Sequence, residues 1–180
     1  MKPIQTASAL IAALLMTACA GTTGYGPRAE AVLEARSGSK VSGKVAFSMA
    51  GDKLRIDIKA SGLTPGAHGF HVHDSGDCSA ADASSAKGHF NPTSKAHGHH
   101  EGGDRHAGDM PNLVADAAGN ASFSGEIAML SLGTDASSVL NRSVVIHADP
   151  DDYKSQPAGN SGKRIACGTI KAVSAPSNTY

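Results

Sequence analysis

Nine histidines are distributed unevenly along the 180-residue chain: eight fall between His68 and His106, and the ninth, His147, follows about forty residues later. His71 and His73 flank Val72 in "GFHVH". The stretch "GHFNPTSKAHGHHEGGDRHAGD" then supplies His89, His97, His99, His100, His106 and Asp109. In "HAGD" an imidazole and a carboxylate stand three residues apart, close enough to hold one ion from a turn. Three histidines and a carboxylate, with no thiolate, suit zinc in a tetrahedral site. A set of histidines alone suits copper, which leads the affinity order for nitrogen donors. His99 and His100 also fit a solvated histidine tract. A zinc hydrolase is a rival reading, since three histidines and an open position are a hydrolytic pattern. It needs a general base, for which Glu101 and Asp104 are the loose candidates. A copper or zinc buffer without turnover is a second rival.

These ligands need a scaffold, and the surrounding pattern is that of strands. "VSGKVAFSM" keeps Val41, Val45, Phe47 and Met49 on one parity. "DKLRIDIKA" sets Leu54, Ile56 and Ile58 against Lys53, Arg55, Asp57 and Lys59. "MAGDK", "SGLTPGA" and "DAAGN" read as turns between "EAVLEAR", these strands and "NLVADAAGNASFSGEI". "RSVVIHA" and "RIACGTIKAV" read as further strands, the first ending at His147. In a strand, His71 and His73 leave on one face. His68 and Phe70 share the other parity, so His68 reads as a structural histidine. Asp74–Pro111 and Asp149–Lys163 carry no sustained period, and such long segments indicate function or disorder. No amphipathic helix longer than two turns is evident. The expectation is an all-β fold, a Greek-key β-sandwich or flattened β-barrel with two long functional loops.

Sixteen basic and sixteen acidic side chains give no formal net charge, so nothing argues for nucleic acid or a polybasic membrane contact. Twenty-one glycines and no tryptophan fit a loop-rich β protein. The start, "MKPIQTASALIAALLMTACA", has Lys2, a short apolar run and then small residues, and reads as an export signal over residues 1–18. "LMTAC" resembles a bacterial lipoprotein cleavage box, which makes Cys19 a lipidation site anchoring the chain to a membrane in the periplasm or cell envelope. Ordinary cleavage after Ala18 or Ala20 is the alternative. Residues 19–30 read as a tether and residues 31–175 as the domain. With Cys19 withdrawn, Cys78 and Cys167 remain as one candidate pair in an oxidising compartment, two free thiols being the alternative. Closing that loop would stabilise the fold by roughly 4 to 5 kcal/mol on the chain-entropy model.

The motifs "GFHVH", "GHFNP", "HAGDMPNL", "VVIHADPDD" and "KRIACG" occur in the order and at the spacing of the copper,zinc superoxide dismutases, and the chain resembles their exported bacterial type over about residues 32–173. The resemblance implies superoxide as substrate, one copper and one zinc per subunit, and a bridging histidine. It implies copper on His71, His73, His89 and His147, and zinc on His89, His97, His106 and Asp109, with His89 shared and catalytic. It further implies that Asp151 links His71 to His97, that Arg164 guides the anion beside copper, and that Cys78 and Cys167 form the intrasubunit disulfide. The loop "DYKSQPAGNSGK" lacks the glutamate pair and threonine of the animal enzymes' guidance loop. Lys154 and Lys163 are candidates for that work on charge alone. The resemblance fits either a homodimer or a monomer.

Overall fold

The computed structural model describes residue 26 and residues 28–173; the expected export signal and Cys19 lie outside the described residues. Among these residues ten strands form, all paired antiparallel: β1 (Arg28–Ala35), β2 (Ser42–Ala50), β3 (Lys53–Ser61), β4 (Gly66–His68), β5 (Phe70–His73), β6 (Leu113–Ala115), β7 (Ala121–Ile127), β8 (Ser143–His147), β9 (Arg164–Thr169) and β10 (Lys171–Val173). Among the described residues the only helical element is a 3₁₀ turn at Ser84–Ala86.

Alternation explains the strands. In β3, Leu54, Ile56 and Ile58 are buried while Lys53, Arg55 and Lys59 are exposed, the period-2 pattern of a sheet with one wet face. "MAGDK" turns β2 into β3, with Gly51 at φ 64°, a left-handed position that favours glycine. β1 begins at Arg28, inside the stretch read as a tether. The small buried Ala29 and Ala31 let it pair with β2 along one edge and with β10 along the other.

The strand order is β4-β6-β7-β3-β2-β1-β9-β8-β5, with β10 also on β1. The two end strands of that path, β4 and β5, are consecutive in the chain and separated by Gly69 alone. That linkage closes the sheet into the expected Greek-key, flattened barrel. His68 and Phe70 therefore do not share a strand; the chain changes sheet partner between them, from β6 to β8. A side chain at residue 69 would run into Ser161, its Cβ 2.7 Å from the Ser161 hydroxyl, so the junction needs glycine. The core includes Val45, Phe47, Ile56, Phe70, Val72, Phe90, Val144 and Ile146. A smaller cluster of Ala83, Ala86, Val145 and Cys167 packs with Cys78 beneath the long loop, and the Cys78–Cys167 disulfide ties that loop to β9.

Candidate metal centre

β5 presents Phe70 and Val72 to the core, so His71 and His73 leave on the opposite face. β8 lies beside it in register, with His71 opposite Val145 and His73 opposite Ser143. Val144 and Ile146 join the core, which puts His147 on the outer face with the other two imidazoles. A register shift between Ile146 and His147 against β9 re-aims that last residue.

The long loop then lies across β5. Phe90 donates its amide to the Val72 carbonyl (2.8 Å), and Val72 donates to the Gly108 carbonyl (3.0 Å), which sets His89 opposite His73 and Asp109 opposite His71. Gly108 lies so near β5 that a Cβ there would overlap the Val72 carbonyl oxygen. Two groups of donor atoms result, each within 4.8 Å of one another: His71, His73, His89 and His147, and His89, His97, His106 and Asp109. His89 belongs to both. All seven side chains are buried, beneath a loop that carries charged residues on its outer surface.

The donor atoms converge closely. Asp109 Oδ1 lies 2.9 Å from His89 Nδ1, 3.0 Å from His97 Nδ1 and 3.3 Å from His106 Nδ1. Its Oδ2 accepts the amides of His106 (2.9 Å) and Gly98 (3.1 Å), which fixes the direction of Oδ1. On the other side, His73 Nε2 and His147 Nε2 stand 3.4 Å apart. His71 Nδ1, His89 Nε2 and His106 Nδ1 are buried without a hydrogen-bond partner. A buried polar atom left unmade costs about 1–3 kcal/mol, and three at one place mark donors built for a cation. The donor types fit the two ions expected: four imidazoles for copper, and three imidazoles with one carboxylate for zinc.

Asp151 ties the two groups together. Its Oδ2 accepts from His71 Nε2 (2.8 Å) and its Oδ1 from His97 Nε2 (2.9 Å). Asn112 holds Asp151 in turn, through paired bonds to its backbone carbonyl (2.9 Å) and amide (2.8 Å). Other ring nitrogens are fixed by backbone: His73 Nδ1 by the Lys87 carbonyl at 2.9 Å and His147 Nδ1 by the Gly162 carbonyl at 3.4 Å. His68 is structural, as expected, and supports the site: its Nδ1 meets the His147 carbonyl at 2.9 Å and its Nε2 the Thr64 carbonyl at 2.8 Å.

Electrostatics differ between the groups. Burial, reinforced by neighbouring imidazoles, holds His73 and His147 well below the ordinary histidine range and brings His89 down to about 4. Burial acts on His97 too, but bonds to Asp109 and Asp151 outweigh it and raise that ring to about 9. Burial likewise opposes ionisation of Asp109 and Asp151, and the imidazoles bonded to them hold both carboxyls far below the usual range. Neutral imidazoles and ionised carboxylates are the forms that bind metal.

Arg164 opens β9 half-buried, its Nη1 donating to the Ala83 carbonyl at 2.7 Å, and its charge acts on His73 and His147. Lys154 and Lys163 are exposed. Glu101 and Asp104, the loose candidates for a hydrolytic base, belong to neither four-residue group, and Asp104 pairs with Lys95 at 2.9 Å. Sequence reasoning missed Arg105. It is 2% exposed, and its guanidinium donates to the carbonyls of His106, Ala107, Asp109 and Ala128 at 2.9–3.3 Å. In "EGGDRH" it reads as one more solvated charge, so no signal could have found it. Asn112, Tyr153, whose hydroxyl accepts the Asn112 amide, and Gln156, which bonds the amide and carbonyl of His97, were missed because their contacts are with residues distant in the chain.

Comparison with known proteins agrees with this geometry. The pattern of the copper/zinc superoxide dismutase (SODC) family matches residues 41–170. The chain is 43% identical over 141 residues to copper–zinc superoxide dismutase 1 of Aquifex aeolicus (strain VF5), covering 76% of this chain and 83% of that one. It is 42% identical over 137 residues to superoxide dismutase 2 of the same organism, covering 73% and 80%. The crystal structure of the clock protein EA4 superposes with a TM-score of 0.75 at 35% identity, covering 83% of this chain and 96% of that one. Two donor groups meeting at one histidine, on a closed antiparallel barrel whose sequence fits this pattern over residues 41–170, leave one assignment: the chain belongs to the copper/zinc superoxide dismutase family.

Proposed function

We infer that this protein converts two superoxide anions and two protons to dioxygen and hydrogen peroxide, at a copper–zinc pair sharing His89. The observation that carries the reading is the membership of His89 in both donor groups, with Nδ1 turned to Asp109 and Nε2 buried without a partner. When bound, copper supplies a one-electron couple, and zinc supplies fixed charge without redox change. His71, His73, His89 and His147 would hold the copper, and His89, His97, His106 and Asp109 the zinc.

His89 has two jobs on this reading. Its Nδ1 side stays anchored among Asp109, His97 and His106, so the ring keeps its place while Nε2 takes up or gives up a proton. A proton held at Nε2 stands where the peroxide, formed from superoxide by one electron, needs one. Asp151 fixes the orientation of His71 and His97 together, which keeps both donor groups in one geometry. Arg164 contributes a permanent cation and hydrogen-bond donors for a small anion, held in place by the Ala83 carbonyl and by the nearby disulfide at Cys167.

Pulse radiolysis of the copper- and zinc-loaded protein tests this directly. Superoxide decay should be catalytic, near the diffusional ceiling of roughly 10⁸ to 10⁹ M⁻¹s⁻¹. Stoichiometric consumption by a fully loaded, disulfide-bonded sample would leave a metal buffer instead. His89→Ala should bind both metals more weakly, and removing zinc should no longer alter the copper EPR spectrum.

The chain is also proposed to work outside the cytoplasm, with residues 1–18 as leader and Cys19 as the lipid-bearing residue that holds it to an envelope membrane. The Cys78–Cys167 disulfide supports an oxidising compartment. Mass spectrometry of the membrane-extracted chain should find diacylglycerol on Cys19; a mature chain starting at another residue would remove the anchor from the reading.

A further inference from the structure

His99, His100 and Glu101 belong to neither four-residue donor group, yet they form a third: one ligand atom from each lies within 4.8 Å of the others. The backbone causes this. Gly102 donates its amide to the His99 carbonyl at 2.7 Å, so residues 99–102 make a tight turn that gathers three consecutive side chains. His100 Nδ1 is buried and has no hydrogen-bond partner. His99 Nδ1 has only a long contact, 3.3 Å, from the Glu101 amide. Unlike a solvated histidine tract, the two rings are held together, with centroids 4.2 Å apart.

Tyr153 backs them both, at 4.6 Å from His99 and 5.8 Å from His100. The Tyr153 hydroxyl accepts the Asn112 amide at 2.8 Å, and the Tyr153 amide donates to Asp151 Oδ1 at 2.7 Å. The turn therefore rests on the same network that fixes Asp151 between His71 and His97, which reduces the ordering cost of binding an ion.

We propose that His99, His100 and Glu101 form a third metal site, which takes a borderline divalent transition ion, Cu²⁺ ahead of Zn²⁺. Two imidazoles and a carboxylate are the donor types that select this class, and nitrogen donors favour copper within it. His99 and Glu101 are exposed and His100 is half-buried, so water completes the coordination. Three protein ligands with open positions make a site that exchanges with solvent. It is distinct from the two buried groups in access as well as in residues.

The test uses the full chain already holding one copper and one zinc. Cu²⁺ and, separately, Zn²⁺ are titrated into it by calorimetry, and the added copper is read as an EPR difference spectrum. The wild-type protein should take up one further equivalent, with nitrogen hyperfine splitting from two imidazoles. In His99→Ala/His100→Ala that equivalent should be lost or weakened more than roughly ten-fold, since even outer partners of a ligand change affinity 10 to 100-fold. Glu101→Gln should weaken it less and keep both nitrogens. Resident copper and zinc content, measured in every variant, shows that the barrel and its buried groups remain. If the double variant loses resident metal, the single His100→Ala protein carries the same comparison. No further equivalent in the wild type, or one that survives loss of the imidazoles, overturns the site.

Discussion

The two buried donor groups are built in different ways. His71, His73 and His147 stand on adjacent strands, β5 and β8, whose backbones are fixed by the ladder itself. His97, His106 and Asp109 stand on an irregular loop, and their positions depend on particular side chains: Arg105 beneath the loop, Asp151 and Asn112 beside it, and Gln156, whose side chain bonds both the amide and the carbonyl of His97 at 2.9 Å. His89 joins the two. Ligands on a sheet inherit its rigidity, whereas ligands on a loop need polar anchors of their own, and perturbations should divide along that line.

The largest break in the comparison should come from Arg105→Ala. The substitution removes a donor from the buried carbonyls of His106, Ala107 and Asp109 and from that of the exposed Ala128, the His106 carbonyl keeping only the Asp109 amide at 3.2 Å. Each unsatisfied buried group costs about 1–3 kcal/mol, so with the Ala107 and Asp109 carbonyls orphaned a destabilisation of about 2–6 kcal/mol is expected, concentrated in the loop. Zinc should be released to chelator far faster than from the wild type, while copper content changes little. Equal loss of both metals would show that the strand-borne group leans on the loop as heavily as the loop-borne one does.

Asp151→Asn should act on both sides at once, because one carboxylate serves His71 and His97. The amide can accept from one ring but not from both in the same geometry. Affinity for each metal should fall by roughly 10 to 100-fold, readable by competition with a chelator of known strength. A change confined to zinc would reduce Asp151 to a loop anchor.

Arg164→Ala should leave both metal groups intact and lower the superoxide rate by roughly ten-fold, since focusing of a charged substrate changes association by about 10 to 1,000-fold. The salt dependence of the rate should flatten, with copper remaining near one per chain. Loss of copper in proportion to activity would recast Arg164 as part of the scaffold.

What the sequence revealed follows the same division. Strand parity put His71 and His73 on one face and Leu54, Ile56 and Ile58 in the core, because a sheet imposes a period of two on both. The loop ligands had no such period. Its spacing to Asp109 singled out His106, but His97 could be chosen over His99 and His100 only through a resemblance, since all of them share one polar, glycine-rich stretch. The change of sheet partner at Gly69, the burial of Arg105 and the anchoring by Asn112 depend on contacts between residues distant in the chain, to which local pattern is blind.

The smallest expected effect is also the one that most directly sets the two groups apart: the titration of the metal-free protein. His97 is raised to about 9 despite its burial, because Asp109 and Asp151 bond its charged form. An unfolded histidine titrates near about 6.5, so stability from this ring is complete below that value and is lost as the pH rises through 9. His89 has the opposite sign. Burial lowers it to about 4, so between 6.5 and 4 the unfolded chain binds the proton that the folded chain refuses, and stability falls as the pH drops through that window. The metal-free barrel should therefore be most stable near pH 6.5, limited on the alkaline side by His97 and on the acid side by His89 together with the likewise depressed His71, His73 and His147. Imidazole proton shifts followed by NMR across pH 4–10 would read both rings separately: His97 still charged at pH 8, His89 still neutral at pH 5. If both titrate near 6.5 instead, the loop does not hold His97 against Asp109 and Asp151 without metal, and the polar anchors position only a group that zinc has already assembled.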